Sequence, residues 1–218
     1  MKRTKAKLFD IKHFPMDLGR ILCFWMPWWF RSKKVYMSDN AKRKIQGGAV
    51  LVANHTCFSD PLMIGCAVWY RRMFFLAAEV VMQHKFFGAL LRGMGCIKID
   101  RKICDMNAIR KTVSILKEGH TVVVFPQGGI SREDDMHTIK SGVVLMAMQA
   151  KVPVIPMYVH KKNKNYKRNC IIIGEPITDH IPQEGRMLPM SAVQTSANKI
   201  LQEMTICKNK FEEISGGK

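Results

Sequence analysis

The sequence predicts an α/β domain: a largely parallel, mixed central sheet flanked by helices, preceded by an N-terminal helical segment that anchors the protein to a membrane. Three observations lead there. From residue 47 onward, short strand-like runs alternate with helix-length segments, the pattern of successive βαβ units. One run, Thr121-Val122-Val123-Val124-Phe125, is continuous and Val-rich, as a strand covered on both faces requires. The chain has 218 residues, 47% hydrophobic and 24% charged, which suits one sizeable globular core. The organisation read from this is a basic, Trp-rich segment over residues 1–46 and a single domain over residues 47–218.

Each element follows from local pattern. Ala49–Ala53 reads as a strand and Pro61–Tyr70 as a helix, since proline suits a first helical turn. Met73–Ala77 is a strand, Val80–Arg92 a helix closed near Gly93, and Gly95–Ile99 a strand. Asp105–Glu118 is a helix, with Gly119 as its C-terminal cap. Residues 126–138 form a polar loop. Lys140–Ala150 is a helix, Val152–Val159 and Cys170–Ile173 are strands, and Ser191–Phe211 is a long closing helix.

The N-terminal segment reads differently. Residues 21–30 are ten apolar residues holding three of the four tryptophans, bracketed by Arg20 and Arg31 and followed by Lys33 and Lys34. As a helix this run covers about 15 Å, roughly half a bilayer core, so it is too short to span. Tryptophans beside a basic collar suit the membrane interface. A helix packed on the main core is the alternative.

The net charge is +18. It implies a polyanionic partner: nucleic acid, an anionic membrane surface or phosphorylated substrates. Residues 1–50 carry twelve Lys/Arg against three Asp, half of the excess, and His160–Arg168 hold five more cations and no acid. No zinc-finger spacing or RNP-type aromatic block accompanies the charge, so the partner expected is a membrane and not nucleic acid. The seven cysteines are scattered and form no Cys-x2-Cys pair. They read as reduced thiols, with neither a disulfide framework nor a metal site.

The chemistry is carried by Asn54-His55-Thr56-Cys57-Phe58-Ser59-Asp60, directly after the first strand. Imidazole titrates near neutral pH, and a carboxylate partner can fix its tautomer, so His55 and Asp60 read as a general base and its orienting acid. Their spacing of five corresponds to about 140° of separation on an ideal helix, so His55 must lie outside the helix for the two to meet. Asp60 before Pro61 is also a candidate helix cap. Three further blocks follow in order: Gly95-Cys96-Ile97-Lys98-Ile99-Asp100-Arg101, Phe125-Pro126-Gln127-Gly128-Gly129-Ile130-Ser131-Arg132, and Val152-Pro153-Val154-Ile155-Pro156. Together they resemble the phospholipid/glycerol acyltransferase family, best known for lysophosphatidate acyltransferases, over about residues 47–175.

The resemblance implies transfer of an acyl group from a thioester, on coenzyme A or acyl carrier protein, to a lysophospholipid hydroxyl at the cytoplasmic face of the cell membrane, with no cofactor. His55 would take the hydroxyl proton and Asp60 would hold the imidazole, without a serine nucleophile. Arg101 matches the arginine that binds the acceptor's phosphate. Gln127, Gly128 and Gly129, a loop whose glycines permit close backbone approach, are candidates for shaping the oxyanion site. Pro153 and Pro156 read as strand-edge and turn residues. The third block departs from the family's Phe-Pro-Glu-Gly-Thr-Arg-Ser: Gln127, Gly129 and Ile130 replace its Glu, Thr and Arg. Arg132, Lys140 or Lys98 could supply the missing cation, with lysophosphatidate as the first-choice acceptor. The alternatives are another lyso-lipid acceptor and a catalytically silent, membrane-docked relative. Cys57, two residues from His55, also admits a thiol nucleophile, which the family does not need.

Overall fold

The computed structural model describes residues 14, 16–19, 21, 32–83, 85–100, 105–127, 138–162, 168–181 and 189–216. Within them the strands are β1 (Lys33–Tyr36), β2 (Ala49–Ala53), β3 (Met73–Ala78), β4 (Ile97–Ile99), β5 (Thr121–Val124), β6 (Val154–His160) and β7 (Cys170–Ile173). The helices are α1 (Asp60–Ala67), α2 (Glu79–Met82), α3 (Lys85–Gly93), α4 (Met106–Lys117), α5 (Ser141–Ala150) and α6 (Met190–Ser215). The strands form one sheet in the order β1-β7-β6-β2-β5-β3-β4. Strands β6, β2, β5, β3 and β4 are mutually parallel, β7 runs antiparallel to β6, and β1 is parallel to β7.

Alternation along β2 puts Val50 and Val52 on one face and Ala49, Leu51 and Ala53 on the other, all fully buried. The first face packs on α4, α5 and α6, through residues such as Val113, Val144 and Ile200. The second packs on α1 through Met63 and Ile64. This explains the unbroken apolar runs of the central strands. After β2 the chain crosses by α1 to β3, and after β5 it crosses by α5 to β6, on the opposite side of β2. Connections that diverge in this way leave a crevice at the carboxyl ends of the strands, the usual place for a site in such sheets.

Three expectations need correction. The domain begins before residue 47, because β1 pairs with β7 in register Lys33↔Cys170 to Tyr36↔Ile173. Within β1, Lys34 donates to Ala67 O at 3.0 Å, closing the end of α1, and burial holds its ammonium below the ordinary lysine range. The helix expected over Val80–Arg92 is two short helices, and Arg92 Nη1 reaches back to Met82 O at 3.4 Å where the first one ends. Pro156 is not at a sheet edge: it lies inside β6, buried and in register with Val52. Its carbonyl accepts Gly174 N–H at 2.9 Å, and a Cβ on Gly174 would sit 2.7 Å from the proline ring, so glycine makes the approach possible.

Most of the Trp-rich run lies outside the described residues. Nearer the N-terminus, Phe14, residues 16–19 and Ile21 are helical. Met16 and Asp17 are buried, and Asp17 forms a two-point ion pair with Arg72 at 2.8 and 2.6 Å. Phe14, Leu18 and Ile21 are exposed. Among the described residues, no helix is long and apolar enough to cross a membrane.

Candidate active site

The site is built at the carboxyl ends of β2, β5 and β6. Asn54, fully buried, fixes the first of them. Its side-chain amide donates to Val159 O at 2.9 Å and accepts Val159 N–H at 2.7 Å, tying the end of β2 to β6 as a further ladder pair would. The chain then leaves the sheet, and residues 55–59 form a turn before α1.

Asp60 organises that turn. It is the first residue of α1, followed by Pro61, and its side chain turns back over the loop. Its Oδ2 accepts Thr56 N–H and Cys57 N–H, each at 2.7 Å, and faces His55 Nδ1 at 3.1 Å. The backbone groups can only donate, so Oδ2 acts as an acceptor and the shared proton belongs to His55 Nδ1. Nε2 is then the basic nitrogen of the ring. Asp60 is fully buried, and its Oδ1 finds no hydrogen-bond partner among the described residues, whereas the His55 side chain keeps 15% exposure. Ser59 holds the cap position and makes no side-chain cap bond, so Asp60 is not the helix cap. His55 lies outside the helix, as the spacing requires.

The turn directly after β5 contributes two further contacts. Phe125 stacks on the His55 ring, centroids 4.3 Å apart and planes 22° from parallel. Gln127 Oε1 accepts His55 N–H at 2.9 Å. Neither contact was read from the sequence, although both residues stand in the third block. From the end of β6, Lys161 Nζ donates to Cys57 Sγ at 3.2 Å, and Ser59 Oγ donates to the same sulfur at 3.4 Å. Burial pushes the Cys57 thiol up, but these hydrogen bonds outweigh it and hold the thiol below its ordinary range. Burial drives Cys96 and Cys170 up to about 11, and burial with a smaller push from Glu203 drives Cys207 up to about 12.

Phe125 also lines a pocket of about 350 Å³. Leu76, Ile99, Val124 and Met146 give it apolar walls, and Asp100, Lys140 and Ser141 add polar groups. The pocket thus brings Ile99 and Asp100 of the second block and Phe125 and Pro126 of the third beside Lys140, Ser141 and Gly142. Lys140 is exposed and precedes the N-terminus of α5. Arg101, Gly128, Gly129, Ile130 and Arg132 lie outside the described residues. Pro153 precedes β6, where its carbonyl accepts Val50 N–H at 3.0 Å, and Pro156 is part of the sheet, so both are structural.

Comparison with known proteins agrees with this geometry. The family model described as Acyltransferase matches residues 33–160, a span that takes in β1, the dyad and β6. The chain is 25% identical over 190 residues to a 1-acyl-sn-glycerol-3-phosphate acyltransferase of Bacillus subtilis, covering 83% of this chain and 90% of that protein. It is 29% identical over 109 residues to the protein of the same name from Streptococcus pneumoniae, covering 50% of this chain and 40% of that one. In fold it resembles the crystal structure of the 1-acyl-sn-glycerophosphate acyltransferase from Thermotoga maritima, with a TM-score of 0.58 and 19% identity, covering 90% of this chain and 83% of that one. The matched span covers more than half of the chain, and the chain belongs to the Acyltransferase family.

Proposed function

We propose that this acyltransferase moves a fatty acyl group from an acyl thioester, on coenzyme A or acyl carrier protein, to the free hydroxyl of lysophosphatidate, giving phosphatidate for phospholipid synthesis. The observation that carries the reading is the His55–Asp60 pair, with Nδ1 tied to the buried carboxylate and the ring resting on Phe125 beside a pocket that holds Lys140. The printed names of the relatives favour the same acceptor.

The chemistry follows from the tautomer. His55 Nε2 takes the acceptor hydroxyl's proton as the oxygen attacks the thioester carbonyl, and this general-base assistance is worth about 10²–10⁴-fold. The imidazolium so formed is stabilised by Asp60. When the tetrahedral intermediate collapses, the thiolate leaves and takes back the proton. The acceptor's phosphate would lie near Lys140 and the first turn of α5, where a cation and the helix dipole favour an anion. Arg101, which follows Asp100 of the pocket wall, would add a two-point contact. Gln127 favours the active reading over a silent relative, because the replaced acid still has a defined place in the site.

The membrane supplies the lipid. Phe14, Leu18 and Ile21 are spaced i, i+4, i+7 and exposed, while Met16 and Asp17 are held in the domain, a pattern suited to peripheral or monotopic attachment at an anionic, cytoplasmic surface. Deleting residues 1–34 would not test this cleanly, because it removes buried Asp17 and half of β1. Replacing Phe14, Leu18 and Ile21 by serine should instead weaken sedimentation with anionic vesicles while leaving the thermal melt unchanged.

The decisive experiment is mass spectrometry of the lipids formed from acyl-CoA with lysophosphatidate or with uncharged monoacylglycerol. Phosphatidate as the main product is expected, and Arg101→Ala or Lys140→Ala should raise the acceptor KM about 10–100-fold. Preference of the native protein for the uncharged acceptor would overturn the phosphate site.

A further inference from the structure

The departure at position 127 has a consequence of its own. Gln127 stands two residues beyond Phe125, in the turn after β5, where the family pattern carries an acid. Its Oε1 accepts the backbone N–H of His55, 72 residues away in sequence, at 2.9 Å. His55 is therefore held from three directions. Asp60 holds Nδ1, Phe125 lies against the ring, and Gln127 fixes the main chain from which the ring projects. Two of the three contacts come from one short stretch of the β5 end, so β5 sets where the base of the β2 turn stands.

We propose that Gln127 is a positioning residue for His55, acting through the histidine's main chain, and that its neutral amide lets the enzyme work at lower pH than a carboxylate there would allow. The first half follows from the acceptor role. A carbonyl oxygen on an amide or a carboxylate meets the same N–H, so glutamine preserves the tether that an acid would make. A side chain of similar length without that oxygen loses it. A backbone N–H released from its partner lets the turn relax, and a base displaced by about 1 Å loses on the order of 100-fold in rate.

The second half follows from charge. A base must be neutral to take a proton, so activity falls on the acid side of the profile as the imidazole becomes protonated. Among the described residues, Asp60 at the start of α1 faces the ring directly, and Cys57, in the same turn, accepts from Lys161 at the end of β6. The contacts from β5 come from Phe125 and Gln127, which carry no charge. A glutamate at 127 would add a second anion beside His55, favour the imidazolium, and move the acid limb upward.

This inference rests on the general-base reading of His55, and the test separates the two. The full-length protein, Gln127→Met and Gln127→Glu would be compared in two ways. One is turnover of acyl-CoA with lysophosphatidate across pH. The other is NMR, following hydrogen exchange of the His55 amide and titration of the His55 ring. Gln127→Met should lower kcat about 10–100-fold, with both KM values within about twofold, and should speed exchange of the His55 amide. Gln127→Glu should restore amide protection and most of kcat, and should shift both the acid limb and the ring titration upward. The proposal is overturned if Gln127→Met keeps native kcat and amide protection, if Gln127→Glu behaves as Gln127→Met does, or if the loss appears in KM alone. If the native protein turns over no lysophosphatidate, the acceptor reading fails, while amide protection and ring titration still decide the role of Gln127.

Discussion

The two edges of the sheet use polar residues in opposite ways. At the amino edge, Arg72 precedes β3 and is locked in a buried ion pair with Asp17. Arg71 donates to the carbonyls of Gly47 and Gly119, just before β2 and β5. His180 bonds the carbonyl of Val152, just before β6. These groups tie loops and chain ends to the sheet. At the carboxyl edge, Asp60 is equally buried, but it holds a histidine whose ring keeps some exposure, beside a pocket with an exposed lysine. A polar group enclosed within the protein stabilises a fold. One engaged on one side, with the other left open, can act on a substrate. The contrast predicts that removing the base at the carboxyl edge removes turnover and spares stability, and that damage to the amino edge does the reverse.

The largest effect tests the carboxyl edge. His55→Ala should lower turnover by about 10²–10⁴-fold, since the base is removed while the loop stays outside the core. Asp60→Asn should lower it comparably, because the amide no longer stabilises an imidazolium, and should also lower the melting temperature, since Oδ2 serves two backbone donors. Rates and thermal melts would be taken on the same samples. Native turnover by His55→Ala would remove the general base from the mechanism.

At the amino edge, the strongest test is the buried ion pair. Asp17→Ala leaves the Arg72 guanidinium buried beside a missing partner, which should cost about 3–5 kcal/mol of stability. The double replacement Asp17→Leu with Arg72→Met should recover most of that, because apolar groups of similar size need no partner. Denaturant unfolding measures both, and turnover per folded molecule should stay near native. A single variant as stable as the native protein would mean that the pair contributes little. A folded variant with lost turnover would mean that the amino edge also sets the geometry of the site.

The same contrast explains what could be read in the sequence. The dyad was legible because His55 and Asp60 stand five residues apart after an apolar strand and because three further blocks follow in the order of the acyltransferase family. The central strands were legible because burial on both faces writes itself as continuous Val-rich runs. The Asp17–Arg72 pair, 55 residues apart, and the Gln127–His55 bond, 72 apart, leave no local trace, since any charged or amide residue could stand at those positions for other reasons. Strand β1 was missed because Lys33-Lys34-Val35-Tyr36 opens with two lysines, and the pairing with β7 is what makes it a strand. The excess of positive charge suggested a partner, but Lys34, Arg71 and Arg72 bond within the molecule itself. The split of the helix expected over Val80–Arg92 has no signal in the apolar periodicity, which runs through the break.

The smallest effect expected is a pH dependence of stability at the amino edge. His180 is fully buried, and its Nε2 donates to Val152 O at 2.8 Å. Nδ1 finds no partner among the described residues, so a proton placed there would be a buried charge with nothing to receive it. Burial accordingly holds the imidazole below the ordinary histidine range, against the smaller upward pull of Val152 O and Asp179. The unfolded chain binds a proton at this residue as pH falls through about 6.5, whereas the folded chain does not until lower pH. The unfolded state therefore gains protons first, and stability declines as pH drops through that window, by at most about 1.4 kcal/mol per pH unit from this group. Above the window the residue contributes no pH dependence. His180→Asn, which keeps a donor without a titrating ring, should flatten that part of the curve. Urea unfolding at pH 7.5 and pH 5.5 on the native protein and the variant isolates the difference from other titrating groups. Equal slopes for the two proteins would show that His180 takes up its proton equally easily in the folded and unfolded chains.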